Sequence, residues 1–217
     1  MPPIVLADAD LDKALGGIVQ GAFGSTGQSC TATSRAIVEA PRYDSFMDSL
    51  LERTHSLTIG DGIGTEEGAR LAYLESALSG GIYDEGYYVE PTIFIDVGLG
   101  MRIANQDIFG PVLTVFRAAG LDEAIDISNR VQFGLSSSVF TRDLTLAHRY
   151  IDNVETGMVH VNAPTLGGEV HLPFGGLKAS GAGPREQGTQ AVEFFTEVVT
   201  VYIDHAGTTA ERTRFII

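Results

Sequence analysis

Phe23-Gly24-Ser25-Thr26-Gly27-Gln28-Ser29-Cys30-Thr31-Ala32-Thr33-Ser34-Arg35 joins two kinds of element. Ahead of it, Leu11, Ala14, Leu15, Ile18, Val19 and Ala22 fall on one helical face at i, i+3, i+4, i+7 spacing. Asp10 stands where an N-cap is needed. Behind it, Arg35-Ala36-Ile37-Val38-Glu39 reads as a strand, and Ile4-Val5-Leu6 is a strand candidate before the helix. The stretch holds Cys30, the only cysteine in 217 residues. Ser25, Thr26, Gly27, Ser29, Thr31 and Ala32 surround the thiol, whereas a structural cysteine packs among larger hydrophobes. Gly27 admits close backbone approach. A connection between rigid elements is where functional groups concentrate. The competing reading is an inert, buried thiol, since lone cysteines are often core residues.

Further along, the same alternation continues. Pro41 opens a predicted helix through about Leu57, with Phe46 and Leu50 on its apolar side. Residues 59–86 are glycine-punctuated and loop-like, with one helical piece at 69–78. Tyr87 to Ile95 regains β character, although Pro91 marks an edge or a bend. A turn at Ile108-Phe109-Gly110-Pro111 leads into a strand at Val112–Phe116. Leu121, Ala124, Ile125 and Ser128 share a helical face. Leu135–Phe140 reads as a strand with three central serines, whose small side chains let a helix sit close. A helix from Leu144 to Val154, a strand at Met158–Val161, a helix from Pro184 to about Phe195 and a strand at Val198–Ile203 complete the chain. Such alternation predicts an α/β fold of three layers, with a largely parallel sheet between helices.

Composition excludes several classes. Hydrophobic residues are 44% and charged residues 19%, as in ordinary globular proteins. A net charge of −14 opposes nucleic acid and anionic membranes as partners. One cysteine allows no internal disulfide, which fits a reducing, cytoplasmic location. Met1-Pro2-Pro3-Ile4 lacks the basic start of a signal peptide, and no apolar run reaches bilayer length. His148 and His171 stand apart from other ligand-type residues, so no metal site is expected.

The wording around Cys30, Gly-Gln-x-Cys followed by Ser-Arg and a strand, resembles the nucleophile motif of the aldehyde dehydrogenase superfamily. Asn105-Gln106-Asp107-Ile108-Phe109-Gly110-Pro111 resembles that family's Glu-Ile-Phe-Gly-Pro element, with an Asp for the usual Glu. His160-Val161-Asn162, Leu172-Pro173-Phe174-Gly175-Gly176-Leu177-Lys178-Ala179-Ser180-Gly181 and Arg185-Glu186 match three more family signatures. The phrases Thr31-Ala32-Thr33-Ser34-Arg35 and Gly167–Phe174 are most similar to the α-ketoglutaric semialdehyde dehydrogenase branch.

The resemblance implies roles. Cys30 would attack an aldehyde carbonyl, hydride would leave to NAD or NADP, and water would cleave the remaining thioester. The Cys30 N–H would contribute to the oxyanion hole. Asp107 would hold a cofactor ribose and Phe109 would pack near the nicotinamide. Gln28, Ser29, Thr31, Asn162 and Phe174 would border the aldehyde, and Glu186 would relay protons. Without the resemblance, Glu186 is equally well a first-turn acid favoured by the helix dipole.

By the same resemblance, residues 1–195 would correspond to the family's catalytic domain, shortened around 61–88, and residues 196–217 to its arm strand and tail. Full family members are more than twice as long. Their N-terminal half carries the cofactor domain, an oxyanion-hole Asn and the general base Glu, which would fall just ahead of Met1. Loss of one oxyanion donor costs roughly 10²–10³ in rate, and loss of a general base roughly 10²–10⁴. The isolated chain is therefore expected to turn over little, with an N-terminal-half chain as a possible partner. Two alternatives stand beside this: cofactor-free thiol esterase activity at Cys30, and a non-catalytic assembly module. The apolar run Val198–Ile203 is expected to build a homo-oligomer by strand addition.

Overall fold

The computed structural model describes residues 1–59 and 78–203. Six parallel strands form one sheet in the order β3-β4-β2-β1-β6-β7. They are β1 (Pro3–Val5), β2 (Arg35–Glu39), β3 (Thr92–Phe94), β4 (Val112–Ala118), β6 (Ser136–Phe140) and β7 (Met158–Val161). A separate antiparallel pair joins β5 (Phe133–Gly134) to β8 (Leu177–Lys178). The helices are α1 (Leu11–Phe23), α2 (Tyr43–His55), α3 (Arg102–Asn105), α4 (Leu121–Asn129), α5 (Leu144–Asn153) and α6 (Gln190–Phe195).

Strand alternation divides the core in two. Phe116, Ile37, Ile4 and Val139 lie in one cross-strand row and pack with α4 residues and Tyr150 of α5. Val38, Val5 and Phe140 lie one residue on, point to the opposite face, and pack with α1 and with Phe46 and Leu50 of α2. Side chains at successive strand positions face opposite sides of a sheet, so each helix layer owns one row. The three-layer parallel architecture read from the sequence is thus observed. Asp10 caps α1, its carboxylate accepting the Lys13 N–H at 3.1 Å.

The triple-serine strand is fully buried, and every one of its hydroxyls is used. Ser137 accepts the Tyr150 hydroxyl at 2.5 Å and meets Thr156 Oγ1 at 2.6 Å, on the α5 side. On the α1 side, Ser138 donates to the Ala163 carbonyl at 2.5 Å and Ser136 to the Thr165 carbonyl at 3.0 Å. These two bonds hold a segment that runs back along β6 after the chain reverses at Asn162, whose φ is +55°. The serines therefore do more than admit a close helix, because they bind a returning loop.

Several predicted elements differ. Pro41 lies in a short 3₁₀ turn, Ala40–Arg42, and α2 starts at Tyr43. Of the run 87–95 only Thr92–Phe94 pairs, as the edge strand that Pro91 foretold. Residues 198–203 belong to no strand in the chain, and their side chains are exposed, Val198 at 97% and Tyr202 at 93%. An extended run needs a partner to become a strand, and among the described residues none is supplied. The expected helical piece at 69–78, save residue 78, most of the segment at 61–88 and the tail beyond 203 lie outside the described residues.

Candidate active site

The loop that carries the thiol leaves α1 through three consecutive left-handed residues, Ser25, Thr26 and Gly27, with φ of 50°, 56° and 67°. Such residues persist only where surroundings hold them. Here the Thr33 N–H donates to the Gly21 carbonyl at 2.9 Å, tying the far end of the loop to α1. Between these anchors, Ser29 to Ala32 form a turn closed by the Ala32 N–H on the Ser29 carbonyl at 3.0 Å. Cys30 sits at the corner of that turn and is exposed. The thiol is therefore not buried among these residues. Among the described residues, no acceptor takes the Cys30 N–H. Gln28 is exposed beside it, while Ser29 Oγ and Thr31 Oγ1 lie 3.4 Å apart within the turn.

A second loop touches the first. Asp107–Pro111 leads into β4, next to β2, which follows the thiol loop. A β-carbon on Gly27 would lie 2.2 Å from the Gly110 carbonyl oxygen, so the two backbones meet directly. A narrow cleft between them is lined by Thr33, Ser34, Asp107 and Phe109. Phe109 holds φ +56° and leaves its ring 49% exposed. Asp107 Oδ1 accepts the Phe109 N–H at 3.3 Å, and the carboxylate is exposed. Behind it lies the buried Arg35, whose Nη1 donates to the Ile127 carbonyl at 3.3 Å. Burial lowers the Arg35 pKa to about 10, and the nearby Asp107 charge opposes that shift. An exposed carboxylate and an exposed aromatic ring on one turn, in contact with the thiol loop, fit a ribose and an aromatic base.

A third element is the Pro-Phe-Gly-Gly loop. Phe174 and Glu186 exchange both backbone hydrogen bonds, at 2.6 and 2.9 Å, in an isolated antiparallel bridge. Arg185 crosses Gly175 and donates to the Gly176 carbonyl. Gln187 and Gly188 are left-handed, at φ 67° and 57°. The last helix therefore cannot begin at Pro184. It starts at Gln190, and Glu186 is not a first-turn acid. Phe174 lines a cavity of about 670 Å³ together with His160, Leu166, Glu169 and Gln187.

Asn162 goes elsewhere. Its amide accepts the Thr141 N–H at 3.0 Å and donates to the Thr141 carbonyl at 2.9 Å. That places it beyond the C-terminal end of β7, while the thiol loop enters β2 at the N-terminal end of a parallel sheet. The structure does not bring this side chain to Cys30. What it does bring is Thr165, which the sequence reading passed over. Its Oγ1 donates to the Thr31 carbonyl at 2.8 Å and lies 3.0 Å from Thr33 Oγ1.

The thiol loop meets the Phe-Gly-Pro turn, while the Pro-Phe-Gly-Gly loop pairs with Glu186 and borders a separate cavity. The family model described as "Aldehyde dehydrogenase family" matches residues 1–68 and 62–201. The chain belongs to the aldehyde dehydrogenase family. An α-ketoglutaric semialdehyde dehydrogenase of Bacillus subtilis is 41% identical over 226 positions, covering 93% of this chain and 46% of that protein. A betaine aldehyde dehydrogenase of Mesorhizobium japonicum is 39% identical over 94% of this chain and 46% of its own length. Among solved structures, an NAD-dependent aldehyde dehydrogenase from Sinorhizobium meliloti superposes with a TM-score of 0.83 at 30% identity, over 98% of this chain and 46% of that one. The chain thus spans about half the length of the aldehyde dehydrogenases it matches.

Proposed function

We propose that these residues form the catalytic domain of an NAD-dependent aldehyde dehydrogenase, with Cys30 as its nucleophile. The exposed thiol at the corner of the Ser29–Ala32 turn carries this reading. Thiolate attack on an aldehyde carbonyl gives a thiohemiacetal whose oxygen draws charge in the transition state. The Cys30 N–H has no acceptor among the described residues and supports that oxygen as one oxyanion donor. Asp107 and Phe109 hold the cofactor side, which when bound supplies the hydride acceptor. Phe174 borders the aldehyde, and Glu186, exposed beside it, is the acid that moves protons during thioester hydrolysis.

The 217 residues by themselves are proposed to turn over little, because one oxyanion donor and an exposed thiol supply only part of the barrier reduction. Fusing the N-terminal half of the Bacillus subtilis relative ahead of Met1 and following NADH formation from a panel of anionic and cationic aldehydes tests the reading. NADH is expected from the fusion, lost in Cys30→Ser, and near background from the 217 residues. A folded fusion without NADH, or robust NADH from the 217 residues alone, contradicts it. Identities of 41% and 39% to enzymes named for an anionic and a cationic aldehyde leave the aldehyde to that panel.

We also propose that Val198–Ile203 pairs with a second copy. Five apolar side chains exposed in six residues, with no ladder among the described residues, are an open template for strand addition. Light scattering at micromolar concentration is expected to show a dimer or larger, and a monomer contradicts this.

A further inference from the structure

The peptide between Thr31 and Ala32 is held at both ends. Its N–H donates to the Ser29 carbonyl at 3.0 Å, closing the turn from within. Its carbonyl accepts the Thr165 hydroxyl at 2.8 Å. A hydroxyl carries one proton, and that of Thr165 is spent on Thr31. The 3.0 Å contact to Thr33 Oγ1 therefore has Thr33 as its donor. The result is a relay, Thr33 O–H to Thr165 O–H to Thr31 C=O, in which each bond polarises the next. All three threonines are buried, Thr33 and Thr165 to about 99%.

Thr165 is itself fixed. Its carbonyl accepts the Ser136 hydroxyl at 3.0 Å, and the preceding Ala163 carbonyl accepts Ser138. Asn162 starts this return segment through its two bonds to Thr141. A continuous set of bonds thus runs from the buried sheet, through Ser136 and Thr165, to the peptide one residue beyond the thiol.

We infer that Thr165 is a positioning residue that locks the Cys30 turn in the orientation presenting both the sulfur and the Cys30 N–H. The inference rests on the reading of Cys30 as the nucleophile. Thr33 and Thr165 lie 132 residues apart, so the bond couples the thiol loop to the segment that leads into the Pro-Phe-Gly-Gly loop. Loss of the hydroxyl leaves a buried carbonyl without its donor, which frees the Thr31–Ala32 peptide to rotate and loosens the turn it closes.

The test compares Thr165→Val, Thr165→Ser and Thr165→Ala in the 217-residue chain. Two readouts are taken on folded protein: the rate of Cys30 alkylation by iodoacetamide and amide hydrogen exchange at Ala32. Thr165→Val is expected to raise Ala32 exchange at least tenfold and change the alkylation rate several-fold, with Thr165→Ser within twofold of the parent in both. Should Thr165→Val fail to fold, Thr165→Ser and Thr165→Ala lose the same methyl and differ only by the hydroxyl. The same separation is then expected between those two. Parent-like exchange and alkylation in folded Thr165→Val, or no difference between the Ser and Ala variants, overturns the inference. Neither comparison requires turnover, so a fusion enzyme without NADH defeats the proposed function while leaving these ratios to judge Thr165.

Discussion

Gly27 and Gly110 meet backbone to backbone: a β-carbon on Gly27 would stand 2.2 Å from the Gly110 oxygen and 2.6 Å from its carbonyl carbon. Gly27 also holds φ +67°, a region that disfavours side chains. Gly27→Ala is therefore expected to destabilise the protein by about 2 kcal/mol or more. It should also push the thiol loop away from the Phe-Gly-Pro turn. Denaturant unfolding measures the first effect, and faster amide exchange at Gln28–Ala32 the second. A parent-like unfolding midpoint would show that the two loops do not press together.

The hydroxyl of Tyr150 donates to Ser137 inside the core, with both side chains fully buried. Ser137→Ala strands that hydroxyl and is expected to cost about 1–3 kcal/mol. Burial raises the Tyr150 pKa above its ordinary 10.0, with the Ser137 bond opposing. A phenol kept protonated by the fold contributes stability that is complete below pH 10 and declines as pH rises above it. Tyr150→Phe should flatten the fall in unfolding free energy above pH 10. An unchanged slope in that variant would place the titration elsewhere.

Arg35 is buried with Asp107 as its nearby counter-charge. Asp107→Asn removes that charge and is expected to lower stability by less than about 1 kcal/mol, since the carboxylate is exposed. In the fusion enzyme the same change should raise the KM for NAD with little effect on folding. Unchanged cofactor kinetics would take Asp107 out of the cofactor site.

Glu186 contributes its backbone to the bridge with Phe174, while its side chain is free of that pairing. Glu186→Gln should leave the unfolding midpoint within about 0.5 kcal/mol of the parent. In the fusion enzyme it should cut kcat by roughly 10²–10⁴ if the carboxylate moves protons. A kcat unchanged by the substitution removes Glu186 from the reaction.

The sheet and its main helices were legible because their apolar residues repeat at one period. Six positions of α1, from Leu11 to Ala22, advertise a face that does pack on the sheet. Likewise Leu121, Ala124 and Ile125 foretold the buried side of α4. Cys30 and its neighbours were legible from composition, since small hydroxyl residues do not build a core around sulfur. What escaped depends on pairings distant in sequence. Glu186 follows a Gly-Pro that suits a helix start, yet its backbone is taken by Phe174, twelve positions earlier. Asn162 carries a site-like amide that Thr141 consumes. Thr165 sits among ordinary loop residues, and only folding brings it to Thr31 and Thr33. Val198–Ile203 has strand composition and finds no ladder among the described residues, because pairing is a property of two segments.

The central claim is a reachable nucleophilic sulfur, and acyl transfer to it is the most direct probe. Folded chain is mixed with 4-nitrophenyl acetate, and the site of acetylation is read by peptide mass spectrometry. The account predicts acetyl on the Cys30 peptide with about one equivalent of nitrophenolate released in the first phase, both lost in Cys30→Ala. Acetylation confined to lysines, or release unaffected by Cys30→Ala, would contradict it.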